Sequence, residues 1–298
     1  MIGGAKMKKI YNSDKTLEIV FVILISVYCL LALIPFWLVI INSLSDETIF
    51  LREGYQLLPR KFSLGAYKMI LYTNTVFNAY KVTLFITVVG TSLSLVMSSM
   101  MAYGLSSRMV KYRNKIAFFV FFTMLFNGGL VPFYILVTTY LRLTDSLWSL
   151  ILPVLINPWN MFLLRNFFKT IPESIPESAR IDGANEIYIM FRIILPLSLP
   201  ALATIGLFYA LAYWNEWFRA FLFIYDRKKF PLQYLIMEML SNIRGAIQDG
   251  NQIQINSVVP AYTSRLATSV VTIGPIIFLY PFLQKYFVKG LTVGSVKG

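Results

Sequence analysis

Six stretches of this chain run for about nineteen residues or more without a charged side chain: 19–45, 82–107, 116–141, 146–164, 193–215 and 266–284. A bilayer core is crossed by roughly 20 apolar residues in a helix, so each stretch is long enough to span or nearly so. Soluble helices of this length keep a polar face, and these do not. The sequence therefore predicts an all-α polytopic membrane protein with six transmembrane helices. The first run is longer than the usual signal-peptide core and lacks a small-residue cleavage site, so it reads as a retained span.

Composition agrees where it bears on chemistry. Charged residues make up 14% of the chain and the mean hydropathy is +0.65, against roughly a quarter charged in soluble domains. There is no histidine, and the one cysteine, Cys29, sits inside an apolar run. Disulfide frameworks and Cys/His metal sites are excluded, and no metal ligand or catalytic residue is assigned. The net charge of +13 lies between spans, where it orients the chain and meets lipid headgroups; no nucleic-acid partner is inferred.

The short connection holding Arg108, Lys111, Arg113 and Lys115 has no acid, whereas Arg142 is balanced by Asp145 in the next. The positive-inside rule then places the first of these connections in the cytoplasm, and with six spans both termini share that side. The expected organisation is a cytoplasmic segment 1–18, a six-helix domain 19–288 and a cytoplasmic tail 289–298. Within the domain, 169–192 is a cytoplasmic loop and 218–265 an external one. After Pro231, Leu232, Leu235, Ile236, Met239 and Leu240 recur at helical spacing, predicting an external helix with an apolar stripe.

Several spans carry proline: Pro35, Pro132, Pro153, Pro158, Pro196, Pro200, Pro275 and Pro281. Proline removes a backbone bond, and such breaks survive in a membrane where protein or water satisfies the freed groups. Bent spans are expected, most clearly at "NGGLVP", Asn127 to Pro132, although each glycine there taken alone reads as a packing residue. In the loop before span five, "SIPE" (Ser174 to Glu177) predicts a helix start: Ser174 as cap, Pro176 in the first turn and Glu177 reaching back. Gly183 is expected to bend that helix or to admit another backbone. With Ala179 and Ala184 it gives a narrow surface fit for a groove on another protein, or one that is merely solvated.

The pattern Glu177, Ala179, Asp182, Gly183, Ala184, followed by Ile194, Leu195, Pro196 and Pro200, resembles the EAA loop of ABC importer permeases. Ser178 stands where the family usually has Ala, and Met190 where it usually has an aromatic residue. Six spans, "NPWNMFLLRNFF", "YWNEWF" and the tail "KGLTVGSVKG" make nearly the whole chain similar to maltose-type carbohydrate-uptake permeases, particularly those handling complex oligosaccharides. The resemblance implies a type I ABC importer permease fold in a bacterial cytoplasmic (inner) membrane and import of an oligosaccharide. Its implied partners are a second, nonidentical permease, two ATPase subunits and an extracytoplasmic sugar-binding protein. Glu177, Ser178, Ala179, Asp182, Gly183 and Ala184 would couple the pore to the ATPases, which would bind ATP and Mg; this chain would bind no cofactor. No Gly-Lys dipeptide occurs, so the chain has no Walker-type phosphate loop of its own.

Sugar contacts are expected from aromatic faces with polar neighbours, and Trp159, Asn160, Trp214, Asn215 and Trp217 offer that chemistry. Interfacial tryptophans serve equally as membrane belts. The charge of +13 would suit an anionic sugar such as a uronate, but it lies on loops assigned to the cytoplasm. The alternative, a secondary transporter of a small polar solute, would want ionisable groups inside the spans, and the charge-free intervals offer none.

Overall fold

A computed structural model describes residues 3–72, 74–248 and 262–273. Among these, helices dominate and no strand forms; Ser45 and Phe62 make an isolated antiparallel bridge. Two compact units are present: residues 1–72 with 249–271, and residues 73–248 with 272–298.

In the first unit, α1 (Gly3–Ser43) is followed by α2 (Glu47–Glu53) and α3 (Gly65–Tyr72). The stretch Leu17–Ser43 has a hydropathy of 2.9, and its most apolar window buries nothing inside the chain. Twenty-seven residues at 1.5 Å each reach about 40 Å, enough to cross a bilayer. Pro35 lies inside this helix without breaking it. Asn42, fully buried, closes the turn after the helix: its side chain donates to the Gln56 carbonyl and accepts from the Gln56 amide, both at 2.9 Å. Asp46 caps α2 through the Thr48 amide, and its hydrogen bonds to Thr48 and Lys61 hold its carboxyl down at about 2.

Glu47, buried, accepts the Tyr262 and Thr263 amides at 2.9 and 2.8 Å and the Thr263 hydroxyl at 2.7 Å. These are the first residues of the helix described over 262–273, so a carboxylate from α2 satisfies donors that a helix start leaves free. Glu47→Ala strands three donors and should cost at least about 2 kcal/mol. A lowered midpoint of thermal unfolding in detergent would register it; an unchanged midpoint would contradict the capping role.

The second unit is built around α4 (Asn74–Ser106), α5 (Arg113–Leu125) and α6 (Leu130–Ile135), which runs into a π turn at Leu136–Tyr140. Short 3-10 turns at Leu147–Leu150 and Leu152–Val154 lead to α7 (Pro158–Phe168) and α8 (Ser174–Ile181). Then come α9 (Glu186–Tyr188), a π turn (Ile189–Ile194), α10 (Leu195–Leu197) and α11 (Leu199–Trp214). Beyond these lie α12 (Phe218–Phe223) and α13 (Leu232–Gln248).

Thr75–Ser106 crosses unbroken, while three further spans are bent pairs. Arg113–Leu125 meets Leu130–Tyr140 at 113°, Leu147–Val154 meets Pro158–Phe168 at 48°, and Glu186–Leu197 meets Leu199–Trp214 at 86°. Five expected spans thus have a counterpart among the described residues; of the sixth, 266–284, only the part to 273 is described. Pro275, Pro281 and the tail 289–298 lie outside the described residues. Pro132, Pro158 and Pro200 each stand in the first turn of a new segment, where a missing N–H costs no bond. Pro153 and Pro196 lie in the last turn of the segments Leu147–Val154 and Glu186–Leu197, just before each break.

At "NGGLVP" the packing reading of the glycines fails. Gly129 adopts φ +89°, and nothing lies within 4 Å of where its Cβ would be, so it serves the break itself. Packing room is used elsewhere, along α4. A Cβ on Gly90 would sit 2.7 Å from the Tyr213 ring, and the hydroxyls of Ser94 and Tyr213 are 2.9 Å apart. One turn further, Ser98 and Tyr209 hydroxyls are 2.6 Å apart, and the Asn157 amide donates to Tyr209 at 3.0 Å. Small residues every four positions on α4 let α11 lie close, with its tyrosines satisfied in the seam.

Candidate functional site

The EAA-like segment forms α8 and the turn after it. The helix starts at Ser174 itself, with Glu173 at the cap position and no side-chain bond there, so the capping box expected from "SIPE" does not form. The Glu177 amide donates to the Glu173 carbonyl at 3.1 Å, while the Ser178 hydroxyl donates to the Ser174 carbonyl at 2.8 Å. The serine that stands in place of alanine thus spends its hydroxyl on its own helix, which satisfies the group at a slight cost to the helix.

Gly183 is outside the helix, not a bend within it. Asp182 is the C-cap; Gly183, at φ +84°, donates to the Arg180 carbonyl, and Ala184 donates to the Ala179 carbonyl at 2.9 Å. That pair of bonds is a Schellman ending, whose left-handed position glycine fills without penalty. Nothing lies within 4 Å of a Cβ built at Gly183. Asn185 then caps α9 through the Tyr188 amide.

Both ends of α8 are moored towards the end of α4. Arg108, two residues past that helix, meets Glu173 at 2.7 Å. Arg180 donates to Glu186 at 2.6 Å, and Glu186 accepts from the Tyr103 hydroxyl at 2.5 Å across 83 positions of sequence. Sequence reading missed this clamp. No spacing rule joins residues so far apart, although the acid-base pair six residues apart in the loop was there to be noticed.

Two isoleucines stand exposed among the polar residues of the loop. Ile181 is 82% exposed and Ile187 71%. Met190 is buried and Phe191 faces outwards, so the methionine takes the inward place that the family usually gives to an aromatic ring. Neither isoleucine was singled out from sequence.

The five expected sugar-contact residues differ in burial. Asn160 is buried and Trp159 exposed in the first turn of α7. Trp214, buried, packs its ring 6.5 Å from Tyr80, while Asn215 and Trp217 are exposed beyond α11. Between those two stands Glu216, buried and paired with Arg219, a charge pair the sequence reading passed over. The apolar stripe after Pro231 is partly turned inwards: Leu232 and Leu235 are fully buried, and the Leu232 amide donates to Thr83 of α4 at 2.8 Å.

Comparison with known proteins now bears on this geometry. No family model matches the chain. The polygalacturonan/rhamnogalacturonan transport system permease protein YtcP of Bacillus subtilis (strain 168) is 44% identical over 271 residues, 91% of this chain and 94% of that protein. This chain belongs to the carbohydrate ABC importer permeases. The arabinooligosaccharides transport system permease protein AraQ of the same organism is 32% identical over 278 residues, covering 90% of this chain and 92% of the relative. Among solved structures, a bacterial ABC transporter involved in the import of the acidic polysaccharide alginate matches with a TM-score of 0.81 and 33% identity. The match covers 92% of this chain and 98% of that one. The permease is thus an integral membrane transport subunit with an all-helical importer fold, and the secondary-carrier alternative falls.

Proposed function

We propose that this permease pairs with a second, nonidentical permease, two ATPase subunits and an extracytoplasmic binding protein to import an acidic, uronate-containing oligosaccharide. It lies in the bacterial cytoplasmic membrane with both termini inside, its loop 169–192 in the cytoplasm and 218–265 outside. ATP and magnesium are held by the partners. The observation that carries the mechanism is α8: Ile181 exposed at its end, both ends moored towards α4, and a chain that runs on through α9, a π turn and α10 into α11. Push on α8, and span five moves. ATP-driven closure of the ATPases is then linked to pore orientation by a free-energy coupling through Glu177 to Ala184.

Substrate class is supported by two relatives of high coverage whose names concern acidic polysaccharides, polygalacturonan/rhamnogalacturonan and alginate. Reconstituted with its partners and binding protein, the complex should hydrolyse ATP faster with oligogalacturonates and not with neutral maltooligosaccharides of equal length. An equal response to the neutral series would overturn the acidic assignment.

A further inference from the structure

Pro176 and Arg180 of α8 line a cavity of about 650 Å³ bounded by the end of α4, the start of α5 and the end of α7. Its cations are Arg108, Arg113, Lys169 and Arg180, and its one carboxylate is Glu173. Arg108 already pairs with Glu173 and Arg180 with Glu186, which leaves Arg113 and Lys169 without an acid among the lining residues. Arg113 Nη1 is buried and has no hydrogen-bond partner. Burial, with the charges of Arg165 and Arg113 nearby, pushes the Lys169 amine below its ordinary value. Arg113 also opens α5, whose cap residue Tyr112 supplies no side-chain acceptor, so the positive end of that helix adds to the field.

A buried guanidinium nitrogen gains from an acceptor, and the charges of Arg113 and Lys169 repel. An anion with several acceptor oxygens answers both at once. Phe168 and Ile171 form apolar wall beside these cations, and the importer reading puts the connections that line the cavity on the cytoplasmic side, where anionic headgroups attract basic side chains.

We infer that this cavity holds the phosphate of an anionic phospholipid headgroup between Arg113 and Lys169, beside the coupling helix. The inference rests on the importer reading above for the side of the membrane and for the role of α8. Lipid occupancy would brace α8 against the bundle, so that a push from the ATPases reaches span five without being absorbed in the gap.

The test uses the complete complex, purified with its ATPases and placed in phosphatidylcholine vesicles, in the same vesicles with phosphatidylglycerol, or in phosphatidylcholine with inorganic phosphate. Native mass spectrometry counts retained phosphatidylglycerol, and ATP hydrolysis is read in parallel. Wild type should retain the lipid and hydrolyse faster in its presence. Lys169→Gln should weaken retention about fivefold, as expected for one cation at an anionic surface, while Lys169→Arg should keep it. Equal retention by wild type and Lys169→Gln would overturn the site. Full stimulation by inorganic phosphate alone would assign the cavity to a soluble anion and overturn the lipid. Loss of ATPase subunits from Lys169→Gln in every vesicle type would mean that a protein carboxylate fills the cavity, again overturning it. Failure of any ATPase to purify with the wild-type chain would instead sink the importer reading, a distinct result.

Discussion

Gly183→Val is expected to reduce coupled sugar uptake at least about tenfold while the chain inserts and its ATPases still turn over. The reason is local. At φ +84°, a β-branched residue pays about 1–2 kcal/mol or more, and 1.4 kcal/mol is a factor of ten. No neighbour lies within 4 Å of the new Cβ, so the fold of the bundle is untouched. What fails is the ending of α8: the amides of Gly183 and Ala184 lose their carbonyls on Arg180 and Ala179, and the helix frays where it must bear load. Gly183→Asn separates two explanations, because asparagine tolerates the left-handed region. Recovery of uptake in the asparagine variant would place the requirement in the backbone. Failure of both would place it in a bare surface against the ATPase. Normal uptake by the valine variant would end the coupling assignment.

Ile181→Asp carries the other large effect. At 82% exposure this side chain contributes almost nothing to the fold of the chain on its own, so its replacement should leave expression and insertion unchanged. Burying an isoleucine against a partner is worth about 1.5–3 kcal/mol, and a carboxylate in that place adds a desolvation penalty. Association with the ATPases should weaken by more than about tenfold, read as loss of ATPase from the purified complex in a titration against concentration. Wild-type association would move the docking face away from this end of α8.

The comparison between sequence and structure has a physical pattern. Gaps between charges located the spans because a lipid solvent forbids lone charges over about 20 residues, a rule that acts on each residue separately. "NGGLVP" disclosed its break for the same reason: Asn127, Gly129 and Pro132 act on their own backbone. Features that need a distant partner stayed hidden. Glu186 reads as one more loop acid until Tyr103 arrives beside it, and Gly90 reads as a weak helix former until the Tyr213 ring covers it. Ser174 and Gly183 show a subtler failure, since each was assigned a plausible local role one helical boundary away from its actual one. The sugar-contact residues were chosen by residue type alone, and residue type did not foretell that Trp159 is exposed while Trp214 is buried.

The amide of Asn157, released where span four breaks, is claimed by the Tyr209 hydroxyl in the middle of α11. Hydrocarbon offers no substitute acceptor, so parting the two would expose a naked donor at a cost of several kcal/mol. Spans four and five therefore share a single pin, and a tilt delivered to one is transmitted to the other without slack.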